Sequence, residues 1–258
     1  MQIRVLGAHK LESARTKHTC FLIDGVMAVD AGSLTSSLDP VEQEKVRAVL
    51  LTHEHFDHIR DIPTLGLATM GDPSIVDVYS TSDTLKSVHK HLLNGKTYPD
   101  MTRSLGAEPP KFRFNPVRTD EDFSVLNYKV QALVMPHPVP AVGYIVSTEA
   151  GDCFAYTGDT SGNLIPFLAS NSERHVLFIE VTFPDRLSDM ADITGHMTPK
   201  SLRGQLREAM AAGLTPPKMV AVHLDPVNQD ELLTEISALA ADLDIDLTPG
   251  YEGMLIIL

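Results

Sequence analysis

The chain has 258 residues, of which 43% are hydrophobic and 21% are charged, a balance typical of a folded globular protein and not of a disordered one. The net charge is −13 and no run of lysines or arginines occurs, which argues against a nucleic-acid-binding protein. The longest apolar stretches, such as residues 254–258, are far shorter than the roughly 20 residues of a membrane span. A basic segment followed by an apolar one is absent from the N-terminus, so no secretory signal is predicted.

Two cysteines, Cys20 and Cys153, are too few for a disulfide framework or a four-cysteine zinc site. Both are expected to be buried and reduced, which favours a cytoplasmic protein. At roughly 150 residues per domain the length allows one or two domains, and α/β folds of this size are often single. Because no repeat or low-complexity segment interrupts the chain, residues 1–258 are predicted to form one domain.

Short apolar runs, mostly rich in β-branched or aromatic residues, predict buried strands. In chain order they cover residues 26–29, 48–51, 132–135, 154–156, 176–179 and 219–222. Apolar residues at helical spacing, flanked by capping residues, predict helices over 82–93, 198–212 and 228–243. The stretch 94–116 contains several prolines and is interpreted as an insertion between elements, and the pattern as a whole predicts a mixed α/β chain.

Each predicted strand ends at or next to a carboxylate or an imidazole. In chain order these residues are Asp30, His53, His137, Asp159, Glu180 and His223. One polar strand end is ordinary, but the functional sites of α/β proteins gather at one set of strand ends. Six such endings, three of them histidines, therefore predict a site at one edge of the sheet.

The densest group of candidate ligands is the sequence Thr-His-Glu-His-Phe-Asp-His at residues 52–58, directly after a predicted strand. If the chain is still extended here, alternate side chains point the same way. The side chains that would share this face are His53, His55 and Asp57. His58 is expected to point elsewhere as the chain turns into a helix, while Glu54 and Phe56 face away and serve the fold. Imidazole and carboxylate are ligands of zinc, manganese or iron, so the motif can serve two metal ions.

This motif resembles the signature of the metallo-β-lactamase superfamily, and the similarity extends over nearly the whole chain. The resemblance implies an α/β fold, a four-layer αββα sandwich with a two-metal site at its edge. A third histidine, a Gly-Asp and a last histidine complete the ligand set of the superfamily, and the matching residues are His137, Asp159 and His223. The resemblance then implies one site with His53, His55 and His137, another with Asp57, His58 and His223, and Asp159 as the bridge. Five further histidines are interpreted as non-ligands, namely His9, His18, His89, His91 and His175.

A second set of motifs resembles the class II 3′,5′-cyclic nucleotide phosphodiesterases. Residues 178–187 resemble that family's Glu-x-Ser-Phe-Pro-Asn-Arg-Leu segment, and Gly-His-Met-Thr-Pro at 195–199 resembles its Gly-His-Leu-Thr-Pro. Residues 94–100 resemble its Asn-Gly-x-x-Trp-Pro-Asp loop, and His-Leu-Asp-Pro at 223–226 resembles its His-Ile-Lys-Pro. The chain departs from the usual leucine, glycine or serine, and lysine of that family at Phe56, Asp61 and Asp225. If that lysine holds the phosphate, its replacement changes substrate affinity or substrate identity.

The resemblance implies a metal-dependent phosphodiesterase that hydrolyses cyclic AMP or cyclic GMP to a nucleoside 5′-monophosphate through a hydroxide shared by two divalent metal ions. Zinc is the expected metal, with manganese or iron as alternatives. The predicted catalytic residues are Asp57, Glu180 and His196, with His196 as the acid for the leaving ribose oxygen and Glu180 as its partner. The expected partner is a small phosphodiester, with neither nucleic acid nor membrane, and the resemblance makes a homodimer a further expectation.

Three other functions stay open. A nuclease of the ribonuclease Z type shares the metal motif, but such enzymes usually carry a long basic arm between the third histidine and the Gly-Asp, where this chain has only the residues between His137 and Asp159. A hydrolase of esters, thioesters or lactones would use the same metal chemistry. The least favoured alternative is a metal-containing scaffold without activity, because every ligand type is present together with Glu180 and His196.

Overall fold

The computed structural model describes residues 1–106, 108–119, 121–169 and 174–258. In this part of the chain the strands form two seven-stranded sheets. The sheets pack face to face, and helices cover the outer face of each one. The layers are therefore helix, sheet, sheet and helix, and the predicted αββα sandwich is confirmed.

The first sheet comes mainly from the N-terminal half of the chain. Its strands are β1 (Gln2–Gly7), β2 (Cys20–Ile23), β3 (Met27–Val29), β4 (Ala48–Leu50), β5 (Val76–Ser80), β6 (Phe112–Pro116) and β14 (Leu255–Ile257). They are ordered β14-β1-β2-β3-β4-β5-β6. From β3 to β6 neighbouring strands run parallel, so the carboxyl ends of these strands lie at one edge.

The second sheet contains the intervening strands. They are β7 (Phe123–Val125), β8 (Tyr128–Met135), β9 (Ala141–Ser147), β10 (Cys153–Tyr156), β11 (His175–Glu180), β12 (Lys218–Val222) and β13 (Leu247–Pro249). They are ordered β13-β12-β11-β10-β9-β8-β7. The four strands from β10 to β13 are parallel, which again places their carboxyl ends together.

The helices connect these strands and cover the sheets. They are α1 (Pro40–Gln43), α2 (Phe56–Ile59), α3 (Ile62–Ala68), α4 (Ser82–His91), α5 (Ile165–Leu168), α6 (Ser188–Thr194), α7 (Pro199–Ala211) and α8 (Gln229–Leu243), with a 3₁₀ turn at Asp185–Leu187. The start of α7 shows why the sequence predicts these boundaries. The Thr198 hydroxyl accepts a hydrogen bond from the backbone N–H of Ser201, and Pro199 occupies the first helical position.

The central strands read as continuous apolar runs because they are buried on both faces. In β11, Phe178 faces the other sheet and contacts Phe21, with ring centroids 4.6 Å apart. Its neighbour Leu177 faces the opposite way and packs beneath α7 and α8 with Leu206 and Ile236. Each such strand therefore joins two apolar layers, and its end is held rigidly in place.

The six predicted strands and three predicted helices are all present, with small shifts at their ends. The interpretation of 94–116 as an insertion is wrong for its last residues, because Phe112–Pro116 forms β6. A proline is tolerated there since β6 is an edge strand; Ala107, in the same stretch, lies outside the described residues. Both cysteines are buried, as expected. No helix formed by the described residues has the length and apolar character needed to cross a membrane.

Candidate metal centre

The carboxyl ends of strands from both sheets meet at one edge of the sandwich. The chain after β4 places His53 and His55 there, and the chain after β8, β10 and β12 places His137, Asp159 and His223. Among the described residues, three groups have one ligand atom per residue within 4.8 Å of one another. They are His53, His55, His137 and Asp159; Asp57, His58 and His223; and Asp159, His196 and His223.

The chain stops being extended earlier than the spacing predicts. His55 is the N-cap of α2, so Asp57 and His58 both lie in the first turn of that helix. The predicted face shared by Asp57 with His53 and His55 is therefore wrong, and Asp57 groups with His58 instead, as the family resemblance implies. Phe56, expected to serve the fold, is 61% exposed at the first position of the helix.

Asp159 lies at the centre of the cluster. Its Oδ2 atom is 3.7 Å from His53 Nε2, 3.3 Å from His58 Nε2 and 3.4 Å from His223 Nε2. Asp57 Oδ2 lies 3.3 Å from His223 Nε2 and 3.5 Å from His58 Nε2. Ligands bound to zinc at roughly 2.0–2.2 Å in a tetrahedron are separated by roughly 3.3–3.6 Å. The spacing is thus that of groups sharing a cation, with Asp159 common to both sets.

Two of these histidines are oriented by one buried carboxylate and one hydroxyl. His58 Nδ1–H donates to Asp30 Oδ2 at 2.7 Å. The Thr52 hydroxyl donates to the same Asp30 oxygen at 2.9 Å, so its oxygen accepts from His53 Nδ1–H at 3.1 Å. These partners assign the proton of each ring to Nδ1 and leave the Nε2 lone pairs directed into the cluster.

A second pair of histidines is oriented in the same way from the other sheet. The Thr182 hydroxyl donates to Glu180 Oε2 at 2.8 Å and accepts from His223 Nδ1–H at 2.9 Å. His137 Nδ1–H donates to the carbonyl oxygen of Gly195 at 3.1 Å. Gly195 closes α6 with a φ of 72°, and a Cβ atom at this position would collide with the ring of Pro138.

The inward-facing atoms fit a metal ion better than any protein partner. His53 Nε2, His58 Nε2 and Asp159 Oδ1 are buried and lack a hydrogen-bond partner among the described residues. His137 Nε2 lies 3.3 Å from His55 Nδ1, and because His137 keeps its proton on Nδ1, its Nε2 brings a lone pair to this contact. Buried polar atoms are rarely left without partners. A cation between the rings and carboxylates would satisfy all of them at once.

The charges of the cluster point the same way. Burial raises the pKa of Asp57 and of Asp159, but the neighbouring histidines outweigh it and hold both carboxyls below their usual range. Burial lowers the pKa of His53, which is therefore neutral, as a metal ligand must be. Burial also acts on His58, but the surrounding carboxylates raise its pKa well above the ordinary value. The ionised carboxylates of the cluster therefore favour a positive charge between them, which a metal ion would supply.

Glu180 and His196 form a hydrogen-bonded pair beside the cluster. His196 Nδ1 lies 2.9 Å from Glu180 Oε1, and the buried carboxylate also accepts from the backbone N–H groups of Thr160 and Met197. Burial lowers the pKa of His196, but Glu180 outweighs it, and the net shift is upward. The His196 ring stacks 5.2 Å from that of His223. The predicted pair is therefore formed, and His196 also stands close enough to join the ligands.

Two of the strand ends at the site are among the six described non-glycine residues with a positive φ. Asp30 and His223 adopt positive φ values of 57° and 59°, a left-handed conformation that costs free energy for residues with a side chain. At both residues the side chain makes a hydrogen bond at the cluster, from His58 to Asp30 and from His223 to Thr182. Such outliers persist where the surrounding contacts over-determine them, as the hydrogen bonds of these residues do.

The other histidines have separate environments. His9 Nδ1 lies 2.7 Å from Glu252, His18 Nδ1 donates to the carbonyl of Lys10, and His89 Nε2 lies 3.2 Å from Asp100. The structure brings none of the five predicted non-ligands (His9, His18, His89, His91, His175) into the three groups found among the described residues.

A cavity of about 690 Å³ opens beside the cluster on the His137 side. The end of β8 and the loop that follows it line the cavity, and Val134 and Pro140 give this lining an apolar character. Thr81, the N-cap of α4, and Arg118 also line the cavity. The volume lies within the range of small-molecule sites, about 300–1,000 Å³.

Two of the departures from the resembling family have structural explanations. Asp61 Oδ2 accepts a hydrogen bond from the backbone N–H of Thr35 at 2.8 Å, so this carboxylate holds a loop. Asp225 Oδ2 accepts from Asn228 Nδ2 at 2.6 Å, and Asp225 Oδ1 lies 3.7 Å from Lys10 Nζ. Asp225 occupies the position where that family has a lysine, and the side chain of Lys10 lies next to it.

Comparison with known proteins adds the family. The family described as "Beta-lactamase superfamily domain" matches residues 19–224. Among solved structures, the metallo-β-lactamase fold protein YhfI from Bacillus subtilis is 20% identical, with a TM-score of 0.77 and 99% of each chain covered. Unliganded yeast PDE1 is 16% identical, with a TM-score of 0.82 over 100% of this chain and 99% of that one. The short form of human tRNase Z is 17% identical, with a TM-score of 0.67 over 100% and 99%. Comparison with curated proteins gives no significant match.

Proposed function

The chain belongs to the β-lactamase superfamily, and we propose that it is a two-metal phosphodiesterase that hydrolyses 3′,5′-cyclic nucleotides to nucleoside 5′-monophosphates. The observation that carries the proposal is the convergence of seven ligand-type side chains beside the Glu180–His196 pair, with three buried inward atoms that lack a hydrogen-bond partner among the described residues. The choice of cyclic nucleotide rests on the motif resemblance at residues 178–187 and 195–199. The matches to solved structures support the fold and no particular substrate.

Two divalent metal ions, most simply zinc, would be held in two adjacent positions. One set of ligands is His53, His55 and His137, the other is Asp57, His58 and His223, and Asp159 serves both. When bound, the ions supply a water of lowered pKa and neutralise charge on the phosphoryl oxygens. The carboxylate–histidine and hydroxyl–histidine hydrogen bonds described above fix the rings for this purpose.

His196 supplies the proton that the leaving oxygen needs. Hydrolysis to a 5′-monophosphate breaks the bond between phosphorus and the ribose 3′-oxygen, a poor leaving group unless it is protonated. Glu180 binds the Nδ1 side of His196, which fixes the ring and favours its protonated form. A ring nitrogen of His196 lies within 4.8 Å of ligand atoms of Asp159 and His223, beside which the phosphorus would be bound.

The shape of the site favours a small substrate over an RNA. The residues between His137 and Asp159, all of them described, are occupied by β9, β10 and short connections, and they leave no room for an inserted arm. The net charge of −13 would also repel a large polyanion. The cavity beside His137 has the size of a nucleoside pocket.

Metal analysis and a substrate panel test this proposal. Protein purified without chelator should contain close to two equivalents of metal and should hydrolyse both bis(p-nitrophenyl) phosphate and cyclic AMP or cyclic GMP. A folded protein that takes up no metal on titration would contradict the metal assignment. Turnover of a precursor tRNA, or of an ester, thioester or lactone, without turnover of cyclic nucleotides would replace the substrate assignment, and turnover of none would indicate a scaffold.

A further inference from the structure

Lys10 lies at the rim of the metal centre, on the side of His223. Its Nζ atom is 3.9 Å from the centroid of the Phe183 ring and 3.7 Å from Asp225 Oδ1. The Phe183 ring is in turn 5.8 Å from the ring of His196. The side chain of Lys10 is 20% exposed, so the ammonium is partly withdrawn from water but remains accessible.

The backbone fixes this position. The N–H of Lys10 donates to the carbonyl of Leu224 at 3.1 Å, and the N–H of Leu224 donates to the carbonyl of Ala8 at 3.0 Å. The N-terminal segment therefore runs alongside the residue that follows His223. Because this pairing sets the starting point of the Lys10 side chain, its ammonium is held near the predicted ligands and not on a freely moving loop.

The ammonium retains donors that its protein partners do not use. A charge-assisted hydrogen bond from an ammonium to a carboxylate is about 2.7–2.9 Å long, shorter than the 3.7 Å between Lys10 and Asp225. Asp225 accepts shorter bonds from Asn228 Nδ2 at 2.6 Å and from the N–H of Val227 at 3.2 Å. A lysine ammonium has three N–H donors, and an aromatic face accepts none of them as a strong hydrogen bond.

Two other cations of the described chain, Arg60 and Lys17, are used differently. The guanidinium of Arg60 is bonded to Glu12 and to Asp61, so its charge is neutralised. Lys17 donates to the carbonyl of Ser36 at the surface of the protein. Lys10 therefore differs from both: two contacts hold its ammonium without using up its donors.

We propose that Lys10 binds the anionic phosphoryl group of the substrate on the His223 side of the metal centre, with Asp225 and Phe183 as the residues that position its ammonium. This inference rests on the proposed function, because it assigns a further substrate-binding residue to the same site. A cation at this rim offsets the repulsion that a protein of net charge −13 exerts on an anionic substrate. It also gives a function to a partly buried ammonium whose pKa burial lowers.

The test compares Lys10→Met and Lys10→Arg with the control Lys17→Met, each with its full metal content. For Lys10→Met, the KM for bis(p-nitrophenyl) phosphate and the Kd for inorganic phosphate, measured by calorimetry, should both rise by about 10-fold or more, while kcat changes by less than about 3-fold. The salt dependence of phosphate binding should weaken, because one cationic contact is lost. Lys10→Arg should recover most of the affinity, and Lys17→Met should match the wild type.

The outcomes separate this inference from the proposed function. If the wild type turns over phosphodiesters and Lys10→Met leaves both KM and Kd unchanged, the Lys10 assignment is wrong and the function stands. If the wild type turns over no phosphodiester but Lys10→Met still weakens phosphate binding, the function is wrong and the anion site stands. Loss of metal or of kcat in Lys10→Met, without rescue by Lys10→Arg, would show a purely structural lysine and overturn the inference.

Discussion

The two ends of β11 contrast two ways in which a polar side chain can be buried. At its start, His175 is 5% exposed, and neither ring nitrogen has a hydrogen-bond partner among the described residues. At its end, Glu180 is fully buried and accepts hydrogen bonds from His196 and Thr182. The same strand thus carries an isolated imidazole at one end and part of a polar network at the other.

The contrast shows that an unpartnered buried imidazole does not by itself indicate a metal site. His53 and His58 each have one unpartnered nitrogen, Nε2, among the described residues, but these atoms also converge with Asp159, whose carboxylate lies 3.7 and 3.3 Å away. Burial alone acts on His175 and lowers its pKa to about 4. At the metal centre, burial also lowers the pKa of His53 and His58, but the carboxylate of Asp159 acts in the opposite direction. Convergence of opposite charges distinguishes the two regions, and each of the following changes tests that distinction.

Removing a ligand should have the largest effect. Asp57→Ala and His58→Ala each delete one side of the second ligand set, so hydrolysis of every substrate should fall by well over about 10²-fold. Metal content, measured by elemental analysis, should fall below two equivalents. The matched control is His175→Leu, which removes an equally buried imidazole and should leave metal content and turnover unchanged at pH 7. Full activity in either ligand variant would refute the two-metal assignment.

Removing His196 should give a more selective loss. His196→Ala should lower kcat on cyclic AMP by roughly 10²- to 10⁴-fold, the range for general acid catalysis. The effect on bis(p-nitrophenyl) phosphate should be much smaller, because p-nitrophenolate leaves without a proton. Metal content should stay near that of the wild type, whereas His223→Ala should lose metal as well.

Two results would change the role of His196. Equal impairment on both substrates would make it a residue that only shapes the site. Loss of metal from His196→Ala would instead make it a ligand in the group that it forms with Asp159 and His223.

Weakening the hydrogen bond that orients His58 should have a smaller effect than the loss of a ligand or of His196. Asp30→Asn keeps the shape of the side chain but weakens the charge-assisted hydrogen bond of 2.7 Å to His58. The affinity for the more weakly bound metal, measured by chelator competition, should fall by about 10- to 100-fold. Asp61→Asn changes a buried carboxylate that holds a loop and touches no ligand, so its metal affinity should equal that of the wild type. Equal affinities in the two variants would remove the proposed role of Asp30.

Much of the fold was predictable because the strands that carry the site are buried on both faces. Strand β11 contains an apolar run that ends in Glu180, and β12 contains one that is followed by His223. One strand that the apolar pattern missed, β5, alternates instead, with half-buried Asp77 and Tyr79 between buried residues. Strand β2 was also missed, although all four of its residues are buried. Strand β6 was hidden by its proline and its position at the edge of the sheet.

The side chains that the structure brings together were predictable from the sequence, but their geometry was not. The spacing of residues 52–58 predicts a shared face for Asp57 and His53, and the early start of α2 after His55 removes it. Asp30 was visible only as a strand end, since its contact with His58 spans 28 positions of sequence. Lys10 carried no local signal at all, because its role depends on the pairing of the N-terminal segment with Leu224.

The last prediction concerns His175 and is the smallest. Its pKa is about 4 in the folded protein against an ordinary value of 6.5, because burial penalises the charged ring. Between these two pH values the unfolded chain binds a proton at His175 more readily than the folded protein does. The free energy of unfolding therefore decreases as the pH falls below 6.5, and this decrease is complete below pH 4. At pH 5 the decrease in the free energy of unfolding is at most about 2 kcal/mol.

Urea unfolding at pH 7 and pH 5 should therefore show a smaller decrease in stability for His175→Leu than for the wild type. The control variant His91→Leu, at an exposed histidine, should follow the wild type. An equal decrease in all three proteins would mean that His175 has a partner or is hydrated, and the two ends of β11 would then differ less than the structure indicates.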